Sequence, residues 1–527
     1  MRKGFRTEYG QRTGHLVHGT TSGLGRSATI IIMMCVAAVT FDALMTSIPL
    51  SAQDGHAKHH HYKLIDLGTF GGPNSGASGG VPQERLLSKR GTVVGTADTP
   101  NPDPFSPNCF FDCFVAHAFL WNNDTLTDLG ALPGGGNGSF AYASNDRRQE
   151  VGVSENGVID PLTGFPEVHA VLWSDAGIID LGTLGGGAST AENINNKTQV
   201  VGAAVNSIPD SFATGLLPYM LNNGAFPAVT QVHAFLWENG AMRDLGTLGG
   251  ADSTAQFINA HGQVAGESFL DATPNPPISA PACSGGGVPT QHPFLWQEGF
   301  VDLGSLGGTC GYPNWLNDRG EVVGTMTLAG DSINHAFLWK SGSLVDLGTL
   351  GGNNSEAWFA NDSGDVVGRA DFAPTSTDHH AFLWRHGVMK DLGTAAGQPS
   401  STAFSINAKS QVVGDANDNA WLWENGSIVD LNTLVLSGTD LHVAVGAAIN
   451  NRGEIVATGL LPNGDEHAVV LIPCDENHAS VDGCDYSLVD SLGAASARQP
   501  SHDVPNPAVR SASRSIRIRN QFLKQLP

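Results

Sequence analysis

The chain has 527 residues, 66 of them glycine, and only 15% are charged. Residues 1–52 carry net +3 and residues 491–527 net +5, so the total of −23 leaves −31 on the part between. A body this acidic repels phosphate backbones and argues against nucleic acid as a partner, while low charge with much Gly, Asn, Thr and Val points to short strands and tight turns.

The N-terminal segment, residues 1–52, reads as an export signal. Arg2, Lys3, Arg6, Arg12 and Arg26 make a basic region, residues 28–44 are apolar, and Ser51-Ala52 precede polar Gln53-Asp54. Leu50 is a poor residue for the −3 position of a cleavage site, so an uncleaved N-terminal anchor is the alternative. No later stretch is long and apolar enough to span a bilayer. Residues 53–61 are expected to form a flexible arm. Its His56, His59, His60 and His61 are a cluster of the kind that binds zinc, copper or nickel weakly.

Residues 62–473 are dominated by internal repeats. The block D-L-G, or D-L-N, occurs at Asp66, Asp128, Asp180, Asp244, Asp302, Asp346, Asp391 and Asp430. The block H-A-F-L-W, or a variant, starts at His117, His169, His233, His292, His335, His380, Asn419 and His467. Between them sits I-N-x-x-G-x-V-V-G, as in Ile258–Gly266. Each copy reads as four strands. Strand A leads into I-N, strand B is the V-V-G run, strand C is A-F-L-W, and strand D ends at D-L-G. Gly in N-x-x-G and in turns such as Glu238-Asn239-Gly240 supplies the positive φ that tight hairpins need. Strand C is apolar nearly throughout, which suits a sheet covered on both faces. Four short strands in about 40 residues match one propeller blade.

The first block, Tyr62–Gly68, is a strand D with no strand C before it, and His467–Leu471 is a strand C with no strand D after it. Pairing them completes a blade and removes the open edge. The expected fold is therefore an all-β propeller of eight four-stranded blades, closed by the N-terminal strand. Seven blades follow if the worn copies at Asn419, Trp421 and Asn432 fail, and an open β-solenoid is the alternative, although no capping unit is visible.

Residues 474–527 hold two cysteines and a basic tail with Arg510, Arg514, Arg517 and Arg519, which reads as disordered. Setting aside Cys35 in the signal region, six cysteines remain. Cys109/Cys113 and Cys474/Cys484 are each close enough in sequence for a small disulfide loop, which an exported chain permits.

The three repeated blocks resemble those of the bacterial extracellular HAF-repeat family, named for His-Ala-Phe, over roughly residues 62–471. The resemblance implies an extracellular bacterial protein. It implies no defined reaction or ligand, so no functional residue is carried over from it.

The repeated His and Asp face each other across the C–D hairpin. A two-residue turn at Asn239-Gly240 sets Phe235 opposite Asp244, and His233 then lies diagonally on the same face. A metal or acid–base pair is one reading. Repetition in seven copies favours an internal brace, because a catalytic site is normally built once. The irregular parts are the better place for function. The B–C connections are long in the first four copies, at Thr96–Ala116, Val153–Val168, Ala203–Val232 and Glu267–Gln291, and short in the last four. They lie on one face and carry Phe105, Phe110, Phe111, Phe114, Phe212, Tyr219 and Phe226 as candidate ligand-binding residues. The expectation is an exported non-enzymatic binding module for an extracellular protein or polysaccharide. A polysaccharide hydrolase or lyase and a structural surface protein are the alternatives. Asp103, Asp112, Asp160, Asp210 and Asp271 lie in the insertions without forming an assignable pair, no catalytic residue is named, and no cofactor is assigned beyond room for calcium.

Overall fold

Each I-N-x-x-G block folds because its asparagine organises the turn. Asn259 Oδ1 accepts from the N–H groups of His261 and Gln263, both at 3.0 Å, and Gly262 takes φ +91°. The C–D turns use two residues at positive φ, as at Asn239 (54°) and Gly240 (82°), whose twist matches that of the flanking strands.

The computed structural model describes residues 58–490 except 78–85, 105–112, 135–137, 162–165, 211–229, 276–287 and positions 375, 377, 396, 437 and 480. Among these residues the chain forms four-stranded antiparallel sheets in the order A-B-C-D. The third is representative, with strands Gly185–Ile194, Val200–Pro209, Thr230–Glu238 and Ala241–Gly246. Eight such sheets follow one another. Single parallel bridges join the second to the third (Val168–Ala188) and the fourth to the fifth (Gln291–Cys310).

Strand A carries a bulge at the same place in seven sheets, at Tyr142, Glu192, Gln256, Asn314, Trp358, Phe404 and Ala447. It explains the glycine of V-V-G. A Cβ on Gly202 would lie 1.8 Å from the Thr190 carbonyl oxygen, so strand B needs a bare backbone there. Phe235 pairs with Gly202 and packs its ring over the gap. Phe119, Phe235, Phe294, Phe337 and Phe382 are all fully buried, and Trp421 fills the same place in the seventh sheet. Burying one such ring is worth about 1.5–3 kcal/mol. The repeated Trp packs between sheets: Trp173 of the second meets Val93, Phe119 and Trp121 of the first.

Neighbouring sheets are also laced by the turn asparagines. Asn145, Asn195, Asn259, Asn317, Asn361 and Asn407 each donate from Nδ2 to the carbonyl of the equivalent asparagine in the next sheet, at 3.0–3.2 Å. Asn450 of the eighth sheet makes the same bond, at 3.2 Å, to Ser88 of the first. Tyr62–Asp66 pairs antiparallel with Glu466–Pro473, from Tyr62–Pro473 to Asp66–Val469, and supplies the missing strand D of the eighth sheet.

The expected flexible arm is instead ordered where described. Lys58–His60 forms a strand on Leu488–Asp490. His59 is fully buried, donating from Nδ1 to Glu424 at 2.9 Å, with Ser427 Oγ at its Nε2. Sequence proximity could not show this, since the partner lies 365 residues away. The described residues of 474–490 are likewise structured, tied by a Cys474–Cys484 disulfide and the buried His478 between Asp475 and Glu454. The basic tail lies outside the described residues. No helix among the described residues is long and apolar enough to cross a membrane.

Candidate binding face

Antiparallel order puts the A–B and C–D turns on one face and the B–C and D–A connections on the other. The B–C connections of the first three sheets begin as strand, where the sequence suggested loop. Strand B runs ten residues in each, Val93–Pro102, Glu150–Ile159 and Val200–Pro209, against four to seven in the later five. Each extension passes a register shift and re-pairs beyond it: Pro102 with Phe114, Ile159 with Pro166, Pro209 with Thr230. Three short arms therefore stand out from this face. The second exposes Val158 (51%) and Ile159 (45%), and the third Ile208 (53%).

Of the aromatic candidates, Phe114 sits on the first arm. With Asp103, Phe140, Glu155 and Val168 it lines a cavity of about 10 Å³, room for roughly one water rather than a ligand. Burial raises the Glu155 carboxyl above its usual range, against the Gly138 N–H that it accepts. Phe105, Phe110, Phe111, Phe212, Tyr219 and Phe226 lie outside the described residues.

The His–Asp pairs stand around the same face. In His117–Asp128, His169–Asp180, His233–Asp244, His292–Asp302, His335–Asp346, His380–Asp391 and His467–Asp66, Nδ1 donates to the carboxylate at 2.8–2.9 Å. The same carboxylate accepts the N–H of the glycine two residues on, at 2.7–2.9 Å. Asp430 has Asn419 where the histidine would be, and it caps the helical turn Leu431–Leu434. Burial opposes ionisation of Asp66, Asp180, Asp244 and Asp346, but the histidine and the glycine N–H outweigh it and lower all four. Asp66 raises His467, and Asp244 raises His233 against its burial. With Nδ1 committed to the carboxylate, six pairs brace their own C–D hairpins, and His467–Asp66 ties Glu466–Pro473 to Tyr62–Asp66.

One constellation occurs in a single copy. Asp252 is fully buried and accepts the Val232 N–H at 2.9 Å. Burial above all, with Asp210 beside it, pushes Asp252 up to about 7. Oδ2 of each acid lacks a donor, so a proton held between them satisfies both. His233 is close enough to feel the Asp252 charge. The position of Asp252 holds Asn74, Gly138, Ala188, Cys310, Asn354 or Ser400 in other sheets. Aligning the copies on their turn asparagines could have singled it out.

The histidine cluster is dispersed. Both nitrogens of His59 are engaged, His60 Nδ1 bonds the Cys474 carbonyl, and His61 faces Asp485 at 3.6 Å. His56 lies outside the described residues. No group of three or more His, Cys, Asp or Glu among the described residues is arranged to hold a metal ion. Cys113 and Cys310 are also disulfide-bonded, and Cys109 lies outside the described residues.

No family model matches the chain, and no curated protein does. Solved structures with some likeness include three. The acylaminoacyl peptidase of Pyrococcus horikoshii has TM-score 0.37 at 9% identity, over 63% of this chain and 52% of that one. TolB from Acinetobacter baumannii has TM-score 0.26 at 10% identity, over 61% and 79%. A putative gluconolactonase has TM-score 0.24 at 10% identity, over 46% and 81%. The chain thus spans about half the peptidase's length, and all three scores fall below 0.5.

Proposed function

We propose that this chain is an exported, closed β-propeller of eight blades, of the HAF-repeat kind, that binds an extracellular protein or polysaccharide without catalysis. Closure is supported by the Tyr62–Asp66 pairing with Glu466–Pro473 and by the Asn450 bond to Ser88. An open solenoid would leave those ends apart. Export is supported by the N-terminal signal pattern and the Cys474–Cys484 disulfide.

The observation that carries the binding reading is the set of three arms on one half of one face, the second exposing Val158 and Ile159 and the third Ile208. Apolar side chains held out on a rigid scaffold cost solubility and are usual at interaction sites. The test is a screen of the purified protein against extracellular proteins and polysaccharides, repeated with Val158→Asp, Ile159→Asp and Ile208→Asp combined. Since these side chains are exposed, the variant should fold normally and lose the partner. Undiminished binding would refute the arms as the site.

A second reading has one specific support. The Asp210–Asp252 pair beside His233 occurs in one sheet among the described residues, and burial with Asp210 alongside pushes Asp252 up to about 7, as a general acid requires. It predicts slow polysaccharide cleavage abolished by Asp252→Asn. Absence of turnover on uronate, neutral and amino-sugar polymers would remove it.

A further inference from the structure

The opposite face, which carries the A–B and C–D turns, breaks its asparagine lacing between the first and second sheets. Two shortened side chains interrupt it. Where seven sheets have the lacing asparagine, the first has Ser88. Its Oγ still accepts from Arg90 and Thr92 N–H at 3.2 and 3.0 Å, so the turn survives, but a hydroxyl has no second arm to span the seam. Four residues on, the third to seventh sheets have a long polar side chain tied to the residue after the strand C Trp. The pairs are Gln199–Glu238, Gln263–Gln297, Glu321–Lys340, Asp365–Arg385 and Gln411–Glu424. The first sheet has Thr92 and Asn122 at these places, with no such bond.

The missing atoms leave a cleft of about 380 Å³, within the usual range of roughly 300–1,000 Å³ for small-molecule sites. Ser88, Arg90, Thr92, Asn122, Asn123 and Arg148 line it. Among the described residues the arginine and lysine ion pairs are those of Arg369, Arg385, Arg452 and Lys340, so Arg90 and Arg148 have none there, as is true also of Arg147, Arg243 and Arg319. The acid at the wall, Asp146, is engaged by Asn196 Nδ2 at 2.8 Å. Two exposed guanidiniums without an ion pair among the described residues line one cleft in a body of net −31, a local charge that suits an anion.

A second, independent departure lies in the same seam. Glu150 occupies the strand B position held by Val93, Val200, Val264, Val322, Val366, Val412 and Ile455 in the other sheets. It is only 2% exposed, and its Oε1 has no hydrogen-bond partner. It pairs in register with Trp173, which packs on the first sheet, so it faces that sheet, within electrostatic reach of Arg148. A buried polar atom left without a partner destabilises the fold. Valine at this position in six other sheets shows that the fold does not require it.

We propose that this cleft binds a hydroxylated carboxylate, in chemical class a uronic acid residue of a polysaccharide. The Arg90 and Arg148 guanidiniums match the carboxylate, and the Asn122 and Asn123 amides with the Ser88 and Thr92 hydroxyls match ring hydroxyls. The site is on the face opposite the arms, so loss of binding at one leaves the other testable.

The experiment is calorimetric titration of the mature protein with trigalacturonic acid, with maltotriose and inorganic phosphate as controls. Three chains are compared: the natural one, Arg148→Gln, and a refilled variant with Ser88→Asn and Thr92→Gln. The refilled variant restores the side chains of the sister sheets, so its melting temperature should hold or rise. Trigalacturonate should bind saturably to the natural chain and at least tenfold more weakly to both variants. No saturable heat, an unchanged affinity in the refilled variant, or phosphate binding as tightly as trigalacturonate would each overturn the proposal.

Discussion

Replacing Asn259 by Ser and by Ala tests how the sheets are laced. Asn259 is fully buried and makes four hydrogen bonds. Oδ1 accepts from His261 and Gln263, while Nδ2 donates to Gln263 Oε1 at 2.8 Å and to the Asn317 carbonyl at 3.1 Å. Serine at this place has a precedent in Ser88, which keeps the two acceptor bonds and lacks the two donor bonds. At about 0.5–1.5 kcal/mol for each lost bond, Asn259→Ser should cost about 1–3 kcal/mol. Asn259→Ala also deprives the two turn amides of their acceptor and should cost about 1–2 kcal/mol more. Urea unfolding followed by the fluorescence of the ten tryptophans measures both. The order natural, Ser, Ala is the signature. If the Ser variant is as unstable as Ala, the turn and not the seam carries the energy. If both match the natural chain, the lacing stabilises nothing.

Three other outcomes are expected. His233 and His467 are raised above 6.5, so their contribution is complete below that value and is lost as pH rises through their folded values. Asp66 and Asp244 are lowered below 3.8, so theirs is complete above that value and is lost as pH falls. The pairs therefore stabilise most between about pH 4 and 6.5, by only about 0.2–1 kcal/mol each at their half-exposed positions. Melting temperature against pH should flatten in Asp66→Asn with Asp244→Asn. Glu150, pushed up to about 7 by burial and by Asp175, binds its proton more tightly folded than unfolded. Its effect lowers stability as pH rises from about 4.5 to 7, and Glu150→Val should raise stability at pH 8 by on the order of 2 kcal/mol and remove that slope. Removing the Cys474–Cys484 bridge with two serines should speed amide exchange at Lys58–His60 and Leu488–Asp490 and leave the other strands protected.

What the sequence made legible was whatever repeats at short range. The C–D turn sets the register of its hairpin by itself, so the Phe235–Asp244 pairing and the His233–Asp244 bond follow from counting residues. The strand D role of Tyr62–Asp66 was readable because an incomplete unit at each end is a strong pattern. The arms were hidden by their prolines: Thr99-Pro100-Asn101-Pro102 reads as loop, yet a strand beyond a bulge and at the edge of the fold tolerates residues without an N–H. His59 was misread because its partner Glu424 lies in the seventh sheet and only the fold joins them. The cleft needs three facts at once, the Ser at 88, the Thr at 92 and the face on which Glu150 lies. Each is an unremarkable substitution alone.

The departures from the repeat differ in whether the surroundings answer them. The seventh copy loses its histidine to Asn419, and its D-L-G becomes D-L-N. There Asp430 turns to cap Leu431–Leu434, and Asn432 bridges to the next strand A through Val443 N–H at 2.8 Å and Val443 carbonyl at 2.9 Å. In the fifth sheet Gly311 stands where Ser253 would be, and the residue whose N–H that serine would accept is Pro293, which has none. These are repaired losses, the pattern expected of drift under selection for stability. The first seam is different. Ser88 and Thr92 remove links, Glu150 adds a polar atom without a hydrogen bond, and Arg90 and Arg148 line the gap without an ion pair among the described residues. Among the described residues no hydrogen bond meets Glu150 Oε1, although six sister sheets show that the apolar solution is available at position 150. A structure that keeps an unrepaired polar gap in an otherwise satisfied seam is best explained by a ligand that supplies the missing atoms.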